Sequence, residues 1–336
     1  MYLEQPQQIL NLFTSNFDMK DLVRFVKYVI CVFIMSITII AITFVGIVAF
    51  PQNKLSTGYN SVVQTKYDNL INTKSPKIII IGGSSAAFGI NEDMLEEATG
   101  LPVVNLGVHV AMGGLFNTEI SKGNIKSGDI VLLGYEYQWG QHDYFHDIGV
   151  EQVMSGIDSR IDMYQYIPIN KWDQIMGYLF TFASKKLRFE PPTGTYTRAS
   201  FNEDGAMILK RDNFVIDDYQ HKIDTYGNVT GEKLVISQES KEYLKKYKSY
   251  VENRGASVYF IAPPLLDEAY QDSLDKLTQM VNNEEEQIGI PYISNPIDYL
   301  FSSDFMFDTI YHCNSKGEEH RTQLLIDDLK VVLMRN

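Results

Sequence analysis

The feature that most constrains this chain is an uncharged apolar run at residues 28–50 (YVICVFIMSITIIAITFVGIVAF). At about 1.5 Å per residue, a helix of that length crosses roughly 30 Å of hydrocarbon, where a backbone must satisfy its own hydrogen bonds. The run predicts one transmembrane helix, so the segments on its two sides fold apart from it. It exceeds a signal-peptide core of about 7 to 15 residues, and no small-x-small cleavage site follows. It therefore reads as an uncleaved signal anchor. Lys20, Arg24 and Lys27 precede it, and the next positive charges are Lys54 and Lys66. By the positive-inside rule residues 1–27 are cytoplasmic and the main domain is extracytoplasmic. Residues 51–76, with Pro51, Gly58 and Pro76 among several Asn and Ser, read as a stalk.

The roughly 260 to 285 residues beyond the span suffice for one large domain. A formal charge of −13 argues against a phosphate-backbone partner, because nucleic-acid binders gather Lys and Arg on one face. No nucleic acid is expected. Cys31 falls in the span and Cys313 near the far end, so no internal disulfide is expected either.

From residue 77 onward, short β-branched runs alternate with amphipathic stretches. Residues 77–82, 102–106, 129–134, 257–262 and 290–293 read as strands. Helices are expected over 91–98, with Asn91 as cap and Gly100 as stop, and over 111–122, 241–253, 267–286 and 315–333. This alternation predicts an α/β domain at 77–336 with a parallel sheet covered on both faces and its function at the C-terminal strand ends. Residues 140–235, rich in Tyr, Asp and Asn, fit the rhythm poorly and read as an insertion that lines or lids the site.

Two segments carry chemistry. Residues 77–89 (KIIIIGGSSAAFG) lift a serine onto a sharp strand-to-helix turn, and residues 308–312 (DTIYH) offer a histidine from far along the chain. Together they make a nucleophile, Ser84, and its base, His312, with Ser85 as the alternative hydroxyl. His142, Asp143, His146 and Asp147 have i, i+4 histidine spacing, but a solvated or hydrogen-bonded loop explains them better than a metal. No cofactor or metal is expected. His109 reads as structural. Tyr135, Tyr137, Trp139 and Tyr144 have faces suited to a pyranose, or to a core.

Gly82-Gly83-Ser84, Asn105-Leu106-Gly107, Gly134-Tyr135-Glu136 and Asp308 with His312 follow the order and approximate spacing of four sequence blocks. In this the chain resembles the SGNH (GDSL-like) hydrolase and acyltransferase superfamily over about residues 77–330. Its anchor makes it similar to the extracytoplasmic branch that serves teichoic acid D-alanylation and alginate acetylation. The resemblance implies a three-layer, flavodoxin-like domain. It also implies Ser84 as nucleophile, His312 as base, Asp308 as its orienting carboxylate, and the N–H groups of Ser84 and Gly107 as oxyanion donors. Such donors contribute about 3 kcal/mol each.

Three departures from the pattern stand out. Gly83 replaces an Asp, Asp308 lies one residue farther from His312 than usual, with Asp304 as a weaker substitute, and Glu136 occupies the place of an oxyanion-donating Asn. Glu136, Tyr137 and Gln138 become candidate substrate contacts, Gln138 as a replacement donor. The activity implied is O-acyl, chiefly acetyl, transfer to a cell-surface polysaccharide or its hydrolysis, with a multi-span membrane-bound O-acyltransferase as partner. The alternative is a fold of this kind that binds glycan without catalysis.

Overall fold

The computed structural model describes residues 19–50, 54–137, 145–188, 190–212, 216, 219–231 and 236–334. It divides into two compact units, residues 1–50 and 51–336. In the first, helix α1 (Met19–Ala49) has no buried residue and is long and apolar enough to cross a membrane. Its described part includes residues 19–27, ahead of the apolar run, where Asp21 faces Arg24 at i, i+3.

In the second unit, helices α2 (Val62–Asn72), α3 (Ser84–Gly89), α4 (Glu92–Thr99), α5 (Gly114–Ser121), α6 (Val150–Gly156), α7 (Trp172–Arg188), α8 (Tyr219–Tyr226), α9 (Gln238–Glu252), α10 (Leu274–Ile288) and α11 (Ser315–Leu333) alternate with short strands. Strands β1 (Ile78–Gly82), β2 (Val103–Asn105), β3 (Ile130–Gly134) and β4 (Ser257–Phe260) form a parallel sheet of order β2-β1-β3-β4. Two further short strands, β5 (Leu265–Leu266) and β6 (Leu300–Phe301), pair in parallel apart from it. The expected strand at 290–293 is reduced to one parallel bridge, Tyr292 to Phe260, beside β4.

The period of two sends alternate residues into two cores. Ile79 and Ile81 of β1 and Val131 and Leu133 of β3 meet residues of α2, α5 and α9 on one face. On the other face Ile78, Ile80, Ile130 and Leu132 meet Leu95 of α4 and Leu325, Ile326 and Leu329 of α11. Burying each such side chain contributes about 1.5–3 kcal/mol. A buried ion pair, Lys77 with Asp129 at 2.9 Å, ties the starts of β1 and β3, and Asp129 also accepts the Lys77 N–H.

Local chemistry sets the helix ends. The Asn91 side chain accepts the Met94 N–H at 2.9 Å, and Gly100 ends α4 at φ 70°. Asn314 caps α11 in the same way, from Gly317 N–H. Helix α9 begins earlier than the periodicity indicates because Ser237 caps it. Helix α10 begins later, at Leu274, because Ser273 caps it and residues 265–266 are spent in β5.

The expected stalk is the main correction to the domain layout. Leu55, Val62, Val63, Tyr67 and Leu70 are buried in the first core, and the buried Lys66 ammonium donates to the Asn105 carbonyl at 2.8 Å. The Asn and Ser of this segment suggest a linker by composition, but its apolar residues recur at helical spacing and bury a face. Among the described residues, the 140–235 segment adds no strand to the main sheet. Its helices α6 and α7 nevertheless feed Val153, Met154, Ile175 and Phe182 into the first core.

Burial also sets a pH dependence. Glu284 of α10 is buried and accepts the Tyr292 hydroxyl at 2.7 Å, and desolvation pushes its carboxyl from 4.5 up to about 8. Between those values the folded chain holds a proton that the unfolded chain releases, so this contribution to stability is full below pH 4.5 and is lost as pH rises towards 8. Glu284→Gln should flatten the fall in denaturant midpoint between pH 5 and pH 8, an effect on the order of a few kcal/mol. An identical slope in wild type and variant would remove Glu284 as its source.

Candidate active site

In a parallel sheet of this order, the topological switch point, where such sheets commonly bind ligands beyond the carboxyl ends of their strands, falls between β1 and β3. Gly82 and Gly134, the last residues of those strands, lie side by side in register. Ser84 follows the first and Glu136 the second. Ser84 opens α3 and is partly exposed, whereas Ser85 is completely buried. Accessibility therefore favours Ser84 over the alternative hydroxyl.

His312 and Asp308 come together as the sequence suggests. The His312 Nδ1 lies 2.8 Å from Asp308 Oδ1, so the extra residue between them does not prevent the pair. Asp304 is exposed, and the bond that reaches it goes to its backbone carbonyl, from Asn314. Burial alone would raise the Asp308 pKa. Hydrogen bonding to His312 and its charge, with a further bond from Tyr196, instead hold it below the usual aspartate range. The His312 ring lies flat on Phe88, with centroids 4.3 Å apart and planes 4° from parallel. Phe88 is four residues from Ser84 on α3, hence on the same helix face one turn along. The stacked ring therefore lies along the helix that carries the serine. No hydrogen bond joins His312 to Ser84 among the described residues.

Gly107 has a steric role. A Cβ there would fall 2.7 Å from the Ala86 Cβ and 2.9 Å from the backbone of Gly83 and Ala87, so only glycine admits this approach to the serine turn. The oxyanion role needs correction. The Gly107 N–H donates to Asn105 Oδ1 at 2.9 Å, and its single hydrogen is thereby engaged.

The residues after β3 also differ from expectation. Tyr137 is a correction: it is buried in a core with Leu265, Leu277 and Met306 and lies away from any substrate surface. Tyr135 is likewise buried, its hydroxyl bonded to Gly114 O and to Thr118. Gln138, Trp139, His142, Asp143 and Tyr144 lie outside the described residues. Glu136 is buried and turned onto the start of α3, where its Oε1 accepts the Ser85 N–H at 2.8 Å. Its other oxygen has no hydrogen-bond partner among the described residues. A Cβ at Gly83 would lie 2.5 Å from both carboxylate oxygens, which is a physical reason for glycine where the resemblance expects aspartate. Glu136 thus occupies the N-terminal end of a helix, where peptide dipoles favour negative charge.

Three contributors escape sequence reasoning. Tyr196 donates to Asp308 Oδ2 at 2.6 Å. Arg211 is buried, bonds the carbonyls of Phe88 and Cys313 and pairs with Glu318. Arg321 is buried and donates to the Ser85 carbonyl at 2.6 Å, clamping the serine turn from α11. Only Arg321 left a signal, a charge in line with Leu325 and Leu329 on an apolar helical stripe. His109 serves locally, its Nδ1 accepting the Ala111 N–H. His146 faces Glu239 and Ser240, Asp147 pairs with Lys171, and the described residues hold no cluster of metal-ligating side chains. Comparison with known proteins gives no match: no protein-family model fits the chain, and no curated protein matches it.

Proposed function

We propose that residues 51–336 form an SGNH-type acyl-transfer domain, three-layered and flavodoxin-like, held on the outer face of a membrane by α1. It moves an acyl group, acetyl in the first instance, to or from a cell-surface polysaccharide through an ester on Ser84. The single observation that carries this reading is the Asp308–His312 pair stacked on Phe88, one turn from a serine at the switch point of the sheet. With Asp308 on Nδ1, Nε2 is the nitrogen that exchanges protons.

In the first half-reaction the Ser84 hydroxyl attacks the acyl carbonyl and passes its proton to His312. The tetrahedral adduct then collapses as the departing alcohol takes that proton. In the second, His312 deprotonates an acceptor hydroxyl, or water, which attacks the ester and frees Ser84. Asp308 fixes the tautomer and stabilises the imidazolium, and Tyr196 holds the other carboxylate oxygen. A multi-span O-acyltransferase in the same membrane is the proposed source of the acyl group.

A second reading, glycan binding without catalysis, draws on a specific observation. The Glu136 carboxylate fills the start of α3 and the Gly107 N–H is engaged by Asn105, which opposes an oxyanion there. Intact-mass measurement of the detergent-solubilised chain after brief exposure to p-nitrophenyl acetate separates the two. An acetyl adduct present in wild type and Ser85→Ala, and absent in Ser84→Ala, supports transfer. No adduct in wild type supports the binding module.

A further inference from the structure

We propose that a cavity linked through Tyr196 to the Asp308–His312 pair is a subsite for one neutral sugar ring. This inference rests on the proposed reading for its biological substrate, though the binding itself does not require catalysis. The cavity, of about 260 Å³, is walled by the segment that precedes α2, by α6, by α7 and by the loop carrying Tyr196. Cavities that bury drug-sized ligands measure about 300–1,000 Å³, so this one suits a single ring.

Tyr196 connects the cavity to the chemistry. It lines the cavity, and its hydroxyl donates to Asp308. Its ring lies 5.5 Å from that of Tyr59, another wall residue, and 6.0 Å from Phe88, on which His312 stacks. Tyr196 is thus the side chain that both lines the cavity and bonds the proton-transfer pair.

The lining specifies the class of ligand. Tyr59, Tyr178, Phe182 and Tyr196 supply aromatic surface for the C–H face of a pyranose, while Asn60 and Gln152 supply amides for its hydroxyls. The Tyr178 hydroxyl stands at this wall beside the Glu151–Lys185 pair, close enough to share hydrogen bonds with both. The charges at the wall are paired with protein groups, Lys185 with Glu151 and Lys186 with Asp158. Paired charges favour a neutral ligand over a phosphate or an ammonium, and an acyl chain would offer the Gln152 amide no partner, the Asn60 amide already donating to Ser155 Oγ at 3.4 Å.

The test uses the full chain in nanodiscs and saturation-transfer NMR with methyl glycosides of glucose, galactose, N-acetylglucosamine and rhamnose, with octanoate as the acyl probe. Saturable binding of at least one glycoside is expected, weakened about three- to tenfold by Tyr178→Ala and less by Tyr178→Phe, with Gln152→Ala weakening it through its lost hydrogen bond. Tyr178→Phe and Gln152→Ala each remove a polar contact with little change to packing, which keeps the test usable if Tyr178→Ala unfolds. No glycoside binding, binding of octanoate alone, or glycoside binding that none of the variants alters would overturn the inference. The p-nitrophenyl acetate adduct is measured on the same wild-type sample. Glycoside binding without an adduct retains the subsite and removes the enzyme; an adduct without glycoside binding does the reverse.

Discussion

Ser84→Ala is expected to abolish the acyl adduct and to lower turnover of p-nitrophenyl acetate by at least about 10³-fold, and His312→Ala to do the same. A serine hydroxyl is a weak nucleophile at neutral pH, and an imidazole in reach is what makes its alkoxide accessible. The two losses should not add, because hydroxyl and imidazole act as one unit, so the double variant should resemble either single one. Asp308→Asn should cost between about 10² and 10⁴, since it leaves the ring on Phe88 but no longer fixes the tautomer. Stopped-flow measurement of the nitrophenol burst gives the acylation rate directly. Turnover that persists in Ser84→Ala would defeat the acyl-serine mechanism.

The second large effect runs in the opposite direction. Glu136→Gln should raise the acylation rate by about 10²-fold, the order of one oxyanion donor. The substitution keeps the shape and leaves an oxygen to accept the Ser85 N–H. It also removes a carboxylate from the place where negative charge develops and supplies an amide N–H there. The denaturation midpoint of the variant should be read alongside, since a charge stabilised by a helix N-terminus contributes to folding as well. A rate that falls in the variant while the midpoint holds would mean that the carboxylate itself assists the reaction.

Much of the sheet was legible because strands buried on both faces must be continuously apolar, as residues 78–82 and 130–134 are. The caps at Asn91 and Gly100 were legible for the same kind of reason, since each satisfies an orphan group within its own turn. The proximity of His312 to Asp308 is also local. What sequence could not reveal depends on long-range packing. Tyr196 reaches Asp308 across 112 positions and Arg211 reaches Phe88 across 123, and neither has a neighbourhood that marks it. The residues around Leu55 and Tyr67 misled because polar neighbours outweigh a short apolar stripe in any reading by composition. Glu136 misled in part: its identity shows a departure from the resembling pattern, but not that its carboxylate would turn back onto the serine helix.

The bond from Arg321 to Ser85 joins residues 236 positions apart, and that span bears on timing. A ribosome makes the serine turn early, and the arginine that clamps it follows only after the rest of the described sheet has been synthesised. Pairings of such sequence separation form late, because the closure entropy of the intervening chain must first be overcome. Until α11 docks, the strand-turn-helix exists without its clamp and without His312. Nascent or truncated chains would therefore carry an unarmed serine, and reactivity towards an acyl probe would report completed folding of the domain.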